Sequence, residues 1–265
     1  MRLRSSATFI ITRVPKAGGI ASAGSTGAAM NDIASATPSF LFQPPPTPYL
    51  PIEGSDQRYP VRRIYCVGRN FAAHAIEMGH DPNKEPPFFF QKNPDDLVLE
   101  GSPFPFPTMS DDVHFEIELV VALNRGGRDI PSEEALSHVF GYAVGLDMTR
   151  RDLQSEAKEL RRPWEIGKAF DKSAPCGPLY PASRIGHPAA GEIWVDVNGE
   201  RRQTGDLNQM IWKVPEAIAY LSRLFTLAPG DLIFTGTPSG VGSVIKGDVM
   251  KGHIDGVGEI EFPVA

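Results

Sequence analysis

Apolar positions along the chain come in short alternating runs broken by glycine and proline, a pattern of strands with few helices. Ile64–Val67 reads as a short buried strand. Asn70 is placed to cap a short helix through Met78, which Gly79 ends. His114–Leu123 alternates as a strand, and Val139–Leu146 forms another. Thr149 and Asp152 have the spacing of a capping box, opening a helix that stops before Pro163. Glu192–Val197 and Glu200–Thr204 flank Asn198-Gly199, the signal of a type I′ hairpin. Pro215 suits the first turn of a helix carrying Ile218, Leu221, Leu224 and Phe225. Pro229-Gly230-Asp231 turns into a strand over Leu232–Thr235, and Gly252–Val264 alternates again. Strands therefore dominate, with short helices at the edges.

Composition narrows the class. Of 265 residues 41% are hydrophobic and 22% charged, which excludes a collagen, a coiled coil and full-length disorder. The net charge is −6 and no basic stripe appears outside the N-terminus, so no nucleic-acid partner is expected. Cys66 and Cys176 stand far apart, outside any zinc or disulfide spacing, which fits a reducing cytoplasm. No apolar run reaches the ~18 residues of a membrane span, so no membrane partner is expected.

Residues 1–38 differ from the rest. Arg2, Arg4, Arg13 and Lys16 occur with no acid before Asp32. That composition fits a mitochondrial transit peptide, or a flexible leader upstream of a natural start at Met30. Gly18-Gly19 and the Gly24–Gly27 stretch interrupt an amphipathic helix and favour the leader. Pro44, Pro45, Pro46, Pro48 and Pro51 form an extended lead-in. Residues 39–265 then run without a repeat or second linker, as expected of a single catalytic domain.

The sharpest chemical signal is His114-Phe-Glu-Ile-Glu-Leu-Val-Val. On a strand, Glu116 and Glu118 share a face, about 6.7 Å apart at Cα, with Phe115, Ile117, Leu119 and Val121 turned to the core. Two neighbouring carboxylates repel unless water or a cation separates them. Taken alone, the pair also fits the solvated face of an edge strand. Asp147 ends a strand just before a helix, a place where sites are built, or where an acid simply favours the helix N-terminus. Three carboxylates on neighbouring strands would make an all-oxygen site suited to Mg²⁺ or Mn²⁺.

His74 and Glu77 have helical i, i+3 spacing, so Glu77 can orient the imidazole as a base, or the two form a plain surface pair. Lys168, after Gly167, reads by itself as an exposed lysine. The loop Thr235-Gly-Thr237-Pro-Ser-Gly-Val-Gly242 either offers N–H groups and Thr237 to an oxyanion or is a glycine-rich turn. The chain lacks G-x-S-x-G, H-E-x-x-H, Walker A and G-x-G-x-x-G, against serine hydrolase, zinc protease and dinucleotide chemistry.

In this order, the pieces resemble the fumarylacetoacetate hydrolase family. The resemblance rests on Tyr65-Cys-Val-Gly-Arg-Asn-Phe with His74 and Glu77, then Glu116-Ile-Glu118, Asp147-Met-Thr-Arg-Arg151-Asp-Leu-Gln154, Gly167-Lys168 and Thr235-Gly-Thr237-Pro. Phe88-Phe-Phe-Gln-Lys-Asn-Pro adds a likeness to the fumarylpyruvate (acylpyruvate) hydrolase branch. It implies an α+β, mainly β fold, a mixed β-sandwich or β-roll with short peripheral helices, assembled as a homodimer. It also implies metal ligands at Glu116, Glu118 and Asp147, a His74–Glu77 base with Lys168 as catalytic groups, and substrate contacts from Arg151, Gln154 and Thr237.

The activity so implied is metal-dependent cleavage of the C–C bond of an acylpyruvate, giving fumarate and pyruvate from fumarylpyruvate in aromatic-compound degradation. An oxaloacetate-type decarboxylase or hydroxymuconate-type isomerase on the same site is the alternative, since one fold hosts several chemistries. The His74–Glu77 pair favours hydrolysis, where a water must be activated. A catalytically silent dimeric binding protein is the reading from a different class; failure to bind a divalent cation in equilibrium dialysis would support it.

Overall fold

The strand Ile117–Leu123 organises the molecule, because neither of its faces meets solvent. In this computed structural model, which describes residues 39–71 and 86–265, the chain divides into a short unit ending at Pro45 and a larger one from Pro46 to Ala265. Residues 39–45 of the first unit are exposed. The expectations for residues 1–38 and for the helix after Asn70 fall outside the described residues.

Among the described residues the largest sheet has eight strands, and it is mixed. In spatial order it runs Phe88–Lys92, Arg63–Gly68, Asp231–Phe234, Ile117–Leu123, Val139–Leu146, Ala174–Cys176 and Leu97–Leu99, with Tyr180–Pro181 added beside Val139–Leu146. Asp231–Phe234 pairs parallel with Arg63–Gly68 and antiparallel with Ile117–Leu123. A four-stranded antiparallel sheet packs against it, ordered Glu200–Asp206, Glu192–Val197, Val249–Ile254 and Gly258–Pro263. A small sheet of Gly242–Val244, Val113–Phe115 and Thr149–Arg150 lies beside the site.

Alternation along Ile117–Leu123 separates two cores. Ile117, Leu119, Val121 and Leu123 join Ile193, Val195, Ile254, Ile260 and Phe262 between the sheets. Val120 and Ala122 join Leu50, Ile64, Cys66 and Phe234 on the opposite side. Fully burying one such aliphatic side chain stabilises by roughly 1.5–3 kcal/mol, so both layers contribute. The solvated-edge alternative for Glu116 and Glu118 is thereby overturned: the strand is central and the carboxylates are buried.

Most expected elements form. Asn198 and Gly199 take φ of 54° and 79°, as a type I′ turn requires. The Pro215 helix spans Val214–Leu224, with Ile218 and Leu221 buried, while Leu224 is exposed and Phe225 lies beyond its end. The mainly β, α+β architecture with short helices matches the expected class.

Candidate metal centre and its pocket

Glu116 sits where the alternating segment breaks into two strands, Val113–Phe115 and Ile117–Leu123. Its carbonyl accepts from Asp147 N–H at 2.9 Å, and the next N–H, of Ile117, donates to Gln203 Oε1 at 3.1 Å. That bend joins Glu116 to the residue after the Val139–Leu146 strand, so Asp147 arrives beside it. Glu118 follows on the continuing strand, opposite Gly145. One carboxylate oxygen from each of Glu116, Glu118 and Asp147 lies within 4.8 Å of the other two.

Two buried lysines and an arginine surround this floor. Lys168 ends the short helix Glu165–Lys168. Its ammonium donates to Asp147 Oδ2 at 2.7 Å, Thr149 Oγ1 at 2.7 Å and Glu116 Oε2 at 2.9 Å. It is 3% exposed, which corrects the reading of a surface lysine. Burial works against its charge, but Asp147 and Glu116 outweigh that and raise its pKa. Arg151 pairs with Glu116 Oε1 and donates to Gln154 Oε1 at 2.7 Å.

Lys92, which sequence reasoning did not select, closes the Phe88–Lys92 strand. Its ammonium is 2.8 Å from Asp147 Oδ1 and donates to the carbonyls of Met148, at 3.1 Å, and Lys168. A lysine two places after three consecutive phenylalanines, on the same strand, was the available signal, since a strand that apolar rarely carries a cation without a buried partner.

Glu118 is different. Among the described residues its carboxylate accepts one hydrogen bond, from Gly236 N–H at 2.7 Å. Burial first, then the charges of Asp147 and Glu116, push its pKa well above the carboxylate range. A divalent cation among the three acids would hold Glu118 ionised, and an all-oxygen donor set suits Mg²⁺ or Mn²⁺. The residues present thus fit such an ion.

Gly236 has φ +93°, and a Cβ there would meet Asn70 Cβ at 2.6 Å, so the N–H reaches Glu118 only from glycine. This loop N–H is spent on the buried Glu118 carboxylate. Asn70 donates to the Thr235 and Trp212 carbonyls and accepts from Trp212 N–H, pinning the loop. Thr237 accepts from Gln203 Nε2 at 2.9 Å, which leaves its own proton for the pocket.

The expected Thr149–Asp152 capping box is absent. The helix is Arg151–Glu159, Asp152 instead accepts from Ser110 Oγ at 2.7 Å, and Thr149 turns inward to Lys168. The burial of the Thr149 hydroxyl among charged groups won over local capping.

Glu116, Glu118, Asp147, Arg151, Gln154, Lys168 and Thr237 all line one cavity, whose outer wall adds Arg69, Phe90, Lys158 and Trp164. His74 and Glu77 lie outside the described residues. No helix among the described residues is long and apolar enough to cross a membrane.

The chain is similar to known proteins over most of its length. The family described as fumarylacetoacetate (FAA) hydrolase C-terminal matches residues 63–265. The crystal structure of fumarylpyruvate hydrolase from Pseudomonas aeruginosa in complex with Mn²⁺ and pyruvate superposes with a TM-score of 0.84 at 57% identity, covering 86% of this chain and 99% of that one. Mitochondrial oxaloacetate decarboxylase of Dictyostelium discoideum is 44% identical over 197 residues, 74% of this chain and 90% of its own. Mitochondrial oxaloacetate tautomerase FAHD1 of Rattus norvegicus is 43% identical over 203 residues, 77% of this chain and 91% of its own.

Proposed function

The chain belongs to the fumarylacetoacetate hydrolase family, and from that premise we propose that it hydrolyses the C–C bond of an acylpyruvate, converting fumarylpyruvate to fumarate and pyruvate. The observation that carries this reading is the 57% identity to the P. aeruginosa fumarylpyruvate hydrolase, spanning 99% of that chain and 86% of this one. The carboxylate floor with its flanking lysines supports it. Degradation of aromatic compounds, a cytoplasmic location and a homodimer belong to the same proposal.

Glu116, Glu118 and Asp147 would hold Mg²⁺ or Mn²⁺, which would supply Lewis-acid chemistry for a 2-oxo acid. Arg151 and Gln154 meet the substrate beside that floor, with Arg151 facing a carboxylate and Gln154 a water. His74, oriented by Glu77, takes a proton from the water as its oxygen bonds to the distal carbonyl carbon. The C–C bond to the methylene then breaks, its electron pair passing into the pyruvate enolate. Lys168 stabilises that charge, giving up one of its three present hydrogen bonds to do so. The proton taken by His74 passes to the methylene carbon and completes pyruvate, while the new carboxyl of fumarate releases its own proton to solvent.

A second reading, decarboxylation or tautomerisation of oxaloacetate at the same site, is favoured by the D. discoideum and rat relatives. One experiment separates the two. Purified protein with Mn²⁺ or Mg²⁺ is given fumarylpyruvate, acetylpyruvate and oxaloacetate, with enol absorbance followed and products identified. Fumarate plus pyruvate supports hydrolysis; carbon dioxide or keto–enol exchange from oxaloacetate, with fumarylpyruvate intact, would replace it.

A further inference from the structure

Lys158 is a half-buried cation in the pocket that the chemistry above leaves unused. On the Arg151–Glu159 helix, Arg151, Gln154 and Lys158 follow at i, i+3 and i+7, one stripe of the surface. All three line the cavity. The helix advances about 10 Å between Arg151 and Lys158. Arg151 closes over the carboxylate floor, and Lys158 stands at the opposite end of the stripe.

An aromatic cluster builds that outer end. The Lys158 ammonium lies 5.2 Å from the Trp164 ring centroid. Trp164 meets Phe88 edge to face at 5.3 Å, and Phe88 carries the Arg69 guanidinium at 4.8 Å. Two cations are thus displayed on one group of rings, and both line the same cavity as the three acids. Among the described residues, no carboxylate forms an ion pair or hydrogen bond with Lys158. A cation–π contact leaves an ammonium's three donors free for an anion.

We propose that Lys158 receives a second carboxylate at the remote end of the substrate, so that the pocket selects acylpyruvates ending in an acid. This rests on the acylpyruvate reading and names its substrate class. The separation along the helix suits an extended chain carrying a carboxylate at each end. Oxaloacetate, whose two carboxylates are close together, keeps both near the floor and leaves Lys158 without a partner. A neutral acyl tail would put an apolar end against the Lys158 ammonium.

The test compares substrates that differ in tail charge. For Lys158→Met, KM for fumarylpyruvate should rise about tenfold, as expected for the loss of one charged hydrogen bond, with kcat within about twofold. KM for acetylpyruvate, whose methyl end carries no charge, should move far less, and Lys158→Arg should restore most of the fumarylpyruvate affinity. An equal loss on both substrates, or an unchanged KM for fumarylpyruvate, overturns the proposal. A binding measurement keeps it separate from the hydrolase reading. Calorimetry on the Mn²⁺-loaded protein compares 2-oxoadipate with 2-oxohexanoate, which differ in the terminal acid. If no acylpyruvate is cleaved but the wild type prefers 2-oxoadipate and Lys158→Met does not, recognition stands and the hydrolase reading falls. If acylpyruvates are cleaved and the variant treats both tails as the wild type does, recognition falls.

Discussion

The Lys92 ammonium lies 2.8 Å from Asp147 Oδ1, and neither side chain reaches solvent. Lys168 holds the other oxygen of the same carboxylate at 2.7 Å. Asp147 is therefore clamped between two lysines before any metal arrives. Removing one partner of a buried pair costs about 3–5 kcal/mol, because the remaining charge stays buried. Lys92→Met should melt well below wild type without metal. The site then carries one more negative charge, so the rise in Tm on adding Mn²⁺ should be larger than in wild type. Equal metal-induced shifts would mean Lys92 does not share the electrostatics of the floor.

Glu118→Gln should act in the opposite sense. The pKa of Glu118 is raised by burial and by its acidic neighbours, so ionising it at neutral pH disfavours the metal-free folded state. That penalty fades as pH falls through the raised folded-state pKa toward the ordinary carboxylate range. The variant should therefore be at least as stable as wild type without metal, while losing the stabilisation by Mn²⁺ or Mg²⁺. At a hundredfold excess over Kd that stabilisation is about 2.7 kcal/mol. Melts with and without metal at pH 7 decide this; a full metal shift in Glu118→Gln would remove Glu118 from the ligand set.

Lys168 should not form a Schiff base. Its ammonium is held by two carboxylates and a hydroxyl, and its pKa is raised rather than lowered. Borohydride with substrate should leave no adduct on Lys168 by mass spectrometry. Lys168→Met should lower kcat more than it raises KM, since the enolate charge develops late. A reduced adduct would make the enzyme aldolase-like.

His74→Ala should abolish the proposed acylpyruvate hydrolysis while calorimetry still detects Mn²⁺ binding, because the proposed ligands Glu116, Glu118 and Asp147 lie elsewhere in the chain. Unchanged turnover would assign water activation to the metal alone.

The pocket mouth predicts a pH limb. Burial first, then the charge of Arg151, lowers the Lys158 pKa to about 8; Lys168 and Arg69 act in the same direction and Glu116 against them. Lys158 is charged below that pH and neutral above it. Measured on the free enzyme, kcat/KM for fumarylpyruvate should fall as pH rises through about 8. The limb should vanish in Lys158→Met and move upward in Lys158→Arg. A limb of equal size with acetylpyruvate would assign it to another group.

Local rules made much of the fold readable, and burial decided what they missed. The Val139–Leu146 strand and the Asn198-Gly199 hairpin follow from alternation and turn chemistry alone. The break at Glu116 was hidden, because alternation continues across it while the backbone turns to meet Asp147 and Gln203, distant in sequence. Thr149 and Asp152 carry a cap's spacing yet serve Lys168 and Ser110. The carboxylates were legible as a pair plus one; Lys168 came only with the family resemblance, and Lys92 was missed. Nothing near Lys168 in sequence announces that it is buried, and Lys92 finds its acid 55 residues away.

The Asp231–Phe234 strand lies between Arg63–Gly68 and Ile117–Leu123, and the loop after it brings Gly236 to Glu118. A growing polypeptide therefore exposes both flanking strands long before their shared neighbour is synthesised. Such non-local closure is slow, and the unfilled gap is a natural place for a chaperone to act. The Gly236 contact to Glu118 forms only with that closure, so the surroundings of the carboxylate floor are completed late.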